Sequence, residues 1–175
     1  MAMTTTLMAT FETALGRCGL SWTAAGIGRV YLPSAAMATP ESLLDPASMP
    51  AFVVAAIEWI TALLAGASDD LRDLPLDDAR IDPFRRHVYE ATRQIRPGTT
   101  ATYGEIARAI GSPGLARDVG VALARNPTPI VVPCHRVIAA SGALTGFSAP
   151  GGLATKRRML ELEGAPGFGQ QSLFG

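Results

Sequence analysis

Two short runs rich in apolar and aromatic residues stand out in the first third of the chain. They cover residues 20–23 and 30–32 and flank a turn at Ala25-Gly26. Strand-forming residues on both sides of a glycine-containing turn predict a β-hairpin. Shortly afterwards, Thr39-Pro40-Glu41 offers an N-cap, a proline at the first helical position and an acid in the first turn. This triplet predicts a short helix.

Residues 51–65 repeat apolar side chains at the spacing of one helix face, namely Val53, Ile57, Ile60 and Leu64. This period predicts an amphipathic helix. The stretch from residue 67 to residue 82 is acidic, polar and contains proline, which indicates a linker. These elements indicate an N-terminal unit over residues 1–80 that contains a hairpin and helices and ends in this acidic linker.

The second half is predicted to be mostly helical. Asp82-Pro83 opens a helix whose apolar face is formed by Phe84, Val88, Ala91 and Ile95, and Pro97-Gly98 ends it. This helix begins a second predicted domain over residues 83–170. The expected fold class of the whole chain is α+β.

A second pair of helices follows within this domain. Thr102 and Glu105 have the spacing of a capping box, residues 112–114 form a short turn, and another helix runs to about Ala124. Helix, short turn and helix form a helix-turn-helix pattern. Small residues spaced by four give the last helix one flat face, and they are Ala116, Gly120 and Ala124. Small residues on one helix face are typical of close packing against another helix.

Composition narrows the class of protein. The chain has 175 residues, 48% of them hydrophobic, and no apolar stretch of transmembrane length. No basic segment precedes an apolar run at the N-terminus, and the two cysteines, Cys18 and Cys134, form no disulfide framework. We therefore expect a cytoplasmic location. Cys18 and His87 are the only spare soft ligands, so no metal site is expected.

Charge is distributed unevenly although the formal net charge is zero. Residues 1–82 contain four Arg and no Lys against ten acids, a balance of −6, whereas residues 83–175 contain eleven basic residues against five acids, a balance of +6. The positive half also contains Cys134. A basic surface there would attract a polyanion and would lower the pKa of the thiol.

Cys134 lies in the sequence Ile-Val-Val-Pro-Cys-His-Arg-Val, residues 130–137. The thiolate is the nucleophilic form of cysteine, and a neighbouring base or cation lowers the thiol pKa. His135 and Arg136 supply one of each. The alternative is a buried structural cysteine beside a surface His-Arg pair, because adjacent side chains on a strand point apart.

The segment Asn-Pro-Thr-Pro-Ile-Val-Val-Pro-Cys-His-Arg-Val, residues 126–137, resembles the active-site segment of the O6-alkylguanine-DNA alkyltransferases, also called methylated-DNA–protein-cysteine methyltransferases. The resemblance covers residues 83–164 and includes the segments at 102–107, 116–120 and 142–148, Lys156, and Glu163-Gly164. It implies direct-reversal DNA repair on double-stranded DNA containing O6-alkylguanine, with O4-alkylthymine as a second candidate lesion. It also implies a small N-terminal α/β domain with an antiparallel sheet and an RNase H-like fold. A monomer that reacts once, without a cofactor, is expected. Cooperative binding along DNA is left open.

The resemblance assigns a role to each of five catalytic residues. Cys134 would accept the alkyl group irreversibly, and His135 would act as its base through a water. Glu163 would orient His135, Asn126 would tie the helix-turn-helix to the cysteine segment, and Tyr103 would protonate the leaving guanine.

Further positions are implied for binding. Arg117 would enter the base stack where the flipped nucleotide was, and the full set of expected DNA-binding residues is Arg117, Ala116, Gly120, Arg85, Ser112 and Arg136. The expected wall of the substrate pocket consists of Pro129, Val137, Phe147 and Ser148.

Some positions depart from the family pattern. Asp118 follows Arg117 where many relatives have alanine, Phe147 replaces a common tyrosine, and the turn at 148–152 is two residues longer than usual. These departures bear on alkyl-group preference. Two alternative functions are a non-catalytic module that binds alkyl lesions in DNA and a thiol hydrolase built from Cys134, His135 and Glu163.

Overall fold

The N-terminal part of the protein is a three-stranded antiparallel sheet. The computed structural model describes residues 7–35, 46–68 and 71–169, so the short helix predicted at Thr39-Pro40-Glu41 lies outside the described residues. Strands β1 (Leu7–Thr13), β2 (Gly16–Thr23) and β3 (Gly26–Tyr31) follow one another in the order β1-β2-β3. The predicted hairpin is confirmed as β2 and β3, with a bulge between Ser21 and Trp22. The sequence patterns did not predict β1.

Helix α1 (Ala51–Leu64) covers one face of this sheet, as the apolar spacing of residues 51–65 predicted. Its buried side chains are Val53, Ala56, Ile60, Leu63 and Leu64. They join Leu20, Trp22 and Ile27 of the sheet in one apolar cluster. The cluster also includes Ile130 and Val131 from the second half of the chain, so the core continues across the boundary between the two halves.

The segment predicted as a polar linker packs more tightly than its composition suggested. Leu71 and Leu74 are buried, and Leu76 pairs with Ile27 at the edge of the sheet. Ile27 N–H donates to Pro75 O at 2.8 Å. Gly26 has a φ of +151°, and a Cβ there would lie 2.6 Å from Pro75 O, so only glycine allows this approach. The linker prediction is therefore corrected to a packed connection.

The second half contains four helices in its described residues: α2 (Pro83–Arg93), α3 (Tyr103–Ala109), α4 (Ala116–Ala124) and α5 (Gly152–Leu162). Local sequence determines where α2 and α3 begin. Asp82 caps α2 by accepting from Arg85 N–H, and Thr102 and Glu105 form the predicted capping box of α3. Helices α2, α3 and α4 pack together over a second apolar cluster. The coarse α+β class is confirmed, while α5 was not predicted as a helix.

The long connection between α4 and α5 brings the cysteine segment into the centre of the protein. Two short strands, β4 (Ala101–Thr102) and β5 (Val137–Ile138), pair in parallel on one side of it. Val30 N–H of β3 donates to Pro127 O at 3.0 Å and ties the connection to the N-terminal sheet. Within the described ranges, no helix is long and apolar enough to span a bilayer.

Candidate active site

The backbone before Cys134 is held by one amide side chain. Asn126 Nδ2–H donates to Val132 O at 2.8 Å, and Asn126 Oδ1 accepts from Thr128 N–H at 3.0 Å. Ile130 adopts a φ of +75°, which is a strained conformation for a β-branched residue. Pro133 then leads into a single 3₁₀ turn, Cys134–Arg136. The chain therefore presents Cys134 from a constrained loop.

Cys134 is buried, at 8% exposure, and it is a free thiol. Burial raises the pKa of the Cys134 thiol, although the Asn126 side chain and Lys156 oppose this rise. The expectation that adjacent basic groups would lower this pKa is therefore wrong. The physical reason is that burial of the thiol outweighs the nearby cation Lys156, while the side chains of His135 and Arg136 are both bound to Glu163.

The His135 imidazole is fully enclosed and oriented by one carboxylate. Its Nε2 lies 2.8 Å from Glu163 Oε1. Burial lowers the pKa of His135 despite the attraction of Glu163, so the ring is neutral near pH 7. A neutral ring that shares a proton with a carboxylate carries it on Nε2, which leaves Nδ1 as a hydrogen-bond acceptor. No protein group among the described residues binds Nδ1.

Arg136 completes a buried charge cluster around Glu163. Its Nε and Nη2 atoms donate to both carboxylate oxygens at 2.8 to 3.2 Å, and Nη1 donates to Ile95 O at 2.6 Å. Burial would raise the pKa of Glu163, but His135 and Arg136 outweigh it and lower that pKa to about 2. With only 4% of Arg136 exposed, its predicted contact with DNA is corrected to a structural pairing with Glu163.

Lys156 is the site residue that sequence reasoning left without a role. It is the only lysine in the chain, and it is completely buried on α5. Its Nζ donates to Val137 O at 2.6 Å and to Thr145 O at 3.0 Å, and burial lowers its pKa to about 8. A single lysine in a chain whose other fourteen basic residues are arginines was a usable signal.

Tyr103, the first residue of α3, reaches the same group of atoms. Its hydroxyl donates to Thr145 O at 3.0 Å, the carbonyl that also accepts from Lys156. The Lys156 ammonium lies 5.8 Å from the centre of the Tyr103 ring. Gly120 of α4 passes the other side of this ring, because a Cβ there would lie 3.7 Å from it. Tyr103 therefore links α4 to the loop at residues 145–148.

A cavity of about 530 Å³ opens above Cys134. Tyr103, Pro129, Phe147 and Ser148 contribute to its wall, together with Cys134. Ser148 Oγ–H donates to Ala124 O at 2.6 Å, which fixes the loop against the end of α4.

Two features of this cavity differ from expectation. Val137 is fully buried in the second apolar cluster and does not line the cavity, so its assignment to the pocket wall is corrected. Sequence reasoning also did not foresee that β3 contributes Arg29 and Tyr31 to the cavity.

The remaining residues predicted to bind DNA lie on or near α4. Arg117 is exposed in its first turn, and Ala116 and Gly120 are partly exposed on the same helix. Ser112 N–H donates to Ala107 O in the turn between α3 and α4. Arg85 lies on α2, where it pairs with Asp82 at 2.5 Å. Among residues 7–35, 46–68 and 71–169, no group of three or more His, Cys, Asp or Glu side chains could hold a metal ion.

Comparison with known proteins connects this geometry to one family. The family model described as 6-O-methylguanine DNA methyltransferase, DNA binding domain, matches residues 83–165. A methylated-DNA–protein-cysteine methyltransferase of Mycolicibacterium paratuberculosis is 50% identical over 108 residues, 62% of this chain and 63% of that protein. The Mycobacterium bovis protein of the same name is 43% identical over 135 residues, 77% of this chain and 74% of that protein. The match thus spans less than two thirds of the first relative and about three quarters of the second.

Solved structures of related proteins match the fold of nearly the whole chain. The crystal structure of Mycobacterium tuberculosis OGT in complex with DNA has a TM-score of 0.72 and 35% identity, covering 92% of this chain and 96% of that one. The O6-methylguanine-DNA methyltransferase of the archaeon Pyrococcus kodakaraensis has a TM-score of 0.67 and 26% identity, covering 91% and 100%. With the buried Cys134, His135 and Glu163 at its centre, the chain belongs to the family of methylated-DNA–protein-cysteine methyltransferases.

Proposed function

We propose that this protein repairs DNA by direct reversal, moving a methyl or larger alkyl group from guanine O6 irreversibly to its own Cys134. The name of the curated relatives and the DNA complex of a structural relative support this activity. The observation that carries it is the placement of the Cys134 thiol at a cavity with the neutral His135 and its carboxylate partner behind it. O4-alkylthymine is a second candidate lesion for the same cavity.

The transfer is a displacement at carbon. His135 Nδ1 takes the thiol proton through a bridging water, while Glu163 holds the proton on Nε2 and stabilises the imidazolium that forms. The Cys134 thiolate then attacks the alkyl carbon, so that the S–C bond forms as the C–O6 bond breaks. The bonding pair leaves with the guanine. Because the thioether is stable, each molecule reacts once.

Tyr103 supplies the proton that the leaving guanine needs. Tyr103 lines the cavity, and its hydroxyl donates to Thr145 O until the guanine takes the place of that acceptor. A buried ammonium, Lys156, shares that carbonyl and lies close to the phenol ring.

The high thiol pKa is compatible with this chemistry. A buried thiol stays protonated and inert until a substrate carbon and the His135 base are both in place. The protein thereby avoids reaction with other electrophiles. The buried cation Lys156 and the Asn126 side chain lower the cost of forming the thiolate at the moment of attack.

DNA binding is assigned to α3, the turn after it, and α4, which together form a helix-turn-helix. The small residues Ala116 and Gly120 let the α4 backbone approach a DNA groove closely, and Ser112 and Arg85 contact phosphates. The exposed Arg117 fills the gap in the base stack when the damaged nucleotide rotates into the cavity. Such phosphate and stacking contacts suit a protein that acts in any sequence context.

The domain organisation, oligomeric state and location of the protein are part of the same proposal. The β1-β2-β3 sheet with α1 on its face forms an RNase H-like N-terminal domain over residues 1–80, and residues 83–170 form the DNA-binding and alkyl-acceptor domain. The protein acts as a monomer. Both cysteines are free thiols, which suits the reducing cytoplasm.

The alternative functions differ in what they require. A module that only binds lesions needs no acceptor thiol, and a thiol hydrolase needs no DNA-binding helices and turns over repeatedly. The direct test is conversion of O6-methylguanine to guanine in an oligonucleotide. We expect one guanine restored per protein molecule in the wild type and none in Cys134→Ser, which still binds the DNA. Repeated turnover, or repair by Cys134→Ser, would contradict the proposal.

A further inference from the structure

A second cavity, of about 630 Å³, adjoins the active-site cavity. The two cavities share three lining residues, Arg29, Arg125 and Pro127. The second cavity lies between β3 of the N-terminal sheet, the connection at residues 77–81, the start of α2 and the end of α4. It is therefore an open continuation of the active-site entrance and not an enclosed core void. We call it the arginine groove.

The groove is strongly cationic. Four arginines line it, namely Arg29, Arg80, Arg85 and Arg125, and Asp77 is the only acid among its lining residues. Trp22, a buried residue of the core, contributes to its floor, and Ser21 and Thr23 add polar side chains to the lining. The lining therefore offers several hydrogen-bond donors and an excess of positive charge to a ligand.

The acids near the groove are already engaged. Asp77 accepts a hydrogen bond from Thr23 Oγ1 at 2.8 Å, Asp82 pairs with Arg85, and Asp78 pairs with Arg86 at 2.9 Å. By contrast, the structure shows no ion pair for Arg29, Arg80 or Arg125 with any residue in its described ranges. These three guanidinium groups are therefore open to an external anion.

Two of the groove's arginines come from the acidic half of the chain, where arginines are few. Residues 1–82 carry a balance of −6 and contain only four arginines. Two of the four, Arg29 and Arg80, lie in this groove opposite Arg85 and Arg125 of the basic half. The hydrogen bonds Val30 N–H to Pro127 O and Ile27 N–H to Pro75 O hold the walls in place. The acidic half thus presents positive charge at the edge that meets the active-site entrance.

We propose that the arginine groove binds the sugar–phosphate backbone of DNA next to the damaged nucleotide, so that the DNA-binding surface extends from the helices onto β3 and the 77–81 connection. This inference rests on the proposed function. A nucleotide that enters the cavity above Cys134 leaves its neighbouring phosphates outside the entrance, which Arg29 and Arg125 flank. Guanidinium groups bind phosphate oxygens through paired hydrogen bonds, and a chain of phosphates suits an elongated cationic groove.

Arg80→Gln is the decisive variant, because Arg80 lines only the arginine groove and has no part in the chemistry at Cys134. Arg17→Gln is the matched control, since it removes the same charge from the same half, at an arginine paired with Glu12 in the β1–β2 hairpin. Binding to an undamaged duplex is measured by fluorescence anisotropy over a series of salt concentrations. Loss of one phosphate contact should weaken binding about fivefold and reduce the slope of log K against log salt by about 0.9.

We expect this change in Arg80→Gln and not in Arg17→Gln, with the rate of reaction with free O6-benzylguanine equal to that of the wild type in both. Equal salt slopes in the two variants would overturn the inference. The inference would also be overturned if Arg80→Gln changed only the self-association of the protein. The groove would then bind the acidic half of a second copy and not DNA. The proposed function fails separately, if the wild type transfers no alkyl group while Arg80→Gln still alters DNA binding.

Discussion

The substitution Glu163→Gln tests whether the buried charge cluster does two things at once, supporting the fold and orienting the base. Glutamine keeps the size of the side chain but removes the charge that faces His135 and Arg136. The Arg136 guanidinium would then be buried without a counter-ion, and the proton on His135 Nε2 would lose its charged acceptor. We therefore expect both lower stability and slower alkyl transfer.

The expected loss of stability in Glu163→Gln follows from the folded-state pKa of Glu163. Glu163 has a pKa of about 2 in the folded protein against an ordinary value of 4.5, and its side chain is 1% exposed. This difference stabilises the fold by about 3 kcal/mol when the carboxylate is ionised. Breaking a buried ion pair by removing one partner costs roughly 3–5 kcal/mol, so the two arguments agree. For a chain of this size, the melting temperature should fall by roughly 6–12 °C.

The pH dependence identifies the mechanism. Because the folded pKa of Glu163 is lowered, its contribution is complete above the unfolded pKa and is lost as pH falls from about 4.5 to about 2. Urea unfolding of the wild type and of Glu163→Gln at several pH values should show a difference that is largest at pH 7 and shrinks toward pH 3. Glu161→Gln is the control, since its exposed pairing with Arg158 at 3.5 Å contributes less than about 1 kcal/mol.

A double-mutant cycle with Arg136→Met completes the test. Arg136→Met leaves Glu163 buried with only His135 as partner, so it should also be destabilising. The double variant should lose less stability than the sum of the two single losses, because the second change removes a group that the first left unpaired. Additive losses, or a difference in stability between the wild type and Glu163→Gln that does not change with pH, would show that Glu163 is not the ionised partner of His135 and Arg136.

Three further perturbations follow from the same geometry. Arg117→Ala should slow repair of duplex DNA at least tenfold but leave reaction with free O6-benzylguanine within about twofold, because only duplex DNA has a stack to disrupt; equal losses would place Arg117 in the fold. Asn126→Ala should lower the free energy of unfolding by about 1–3 kcal/mol, because it leaves the Val132 carbonyl unpaired. It should also raise the pKa of Cys134, read from the pH dependence of alkylation by iodoacetamide. An unchanged pH dependence would contradict this role of Asn126. Lys156 has a pKa of about 8 in the folded protein against an ordinary value of 10.5. Between these pH values only the unfolded state keeps the proton, so the contribution of Lys156 to stability rises with pH. The stability of the wild type relative to Lys156→Met should therefore increase over that range, and a constant difference would show that burial does not lower the pKa of Lys156.

Local sequence signals predicted those parts of the fold that depend on local interactions. The helix at residues 51–65 and the capping box of Thr102 and Glu105 appear as expected, since both follow from spacing along the chain. The segment 71–76 was misread because its few apolar residues carry no period. Leu71 and Leu74 are buried by tertiary contacts with the sheet and α1, which no local pattern reveals.

The same distinction holds for the site. The proximity of Cys134 and His135 in the sequence suggested a pair, but a single 3₁₀ turn directs both His135 and Arg136 toward Glu163, 27 residues downstream of Arg136. Arg136 therefore acts as a buried counter-ion. The thiol pKa is raised because burial outweighs the opposing effects of the Asn126 side chain and the Lys156 charge. This balance depends on tertiary packing. Composition could indicate the basic half, but not which of its charges would be buried.

In the proposed reaction, Cys134 itself receives the alkyl group. The most direct measurement is mass spectrometry of the intact protein and of its peptides, after incubation with an oligonucleotide that carries one O6-methylguanine. We predict a gain of one methyl group per molecule, located on the peptide that contains Cys134 and absent from Cys18. An unchanged mass after the lesion has been bound, or a methyl group located on Cys18, would contradict the account.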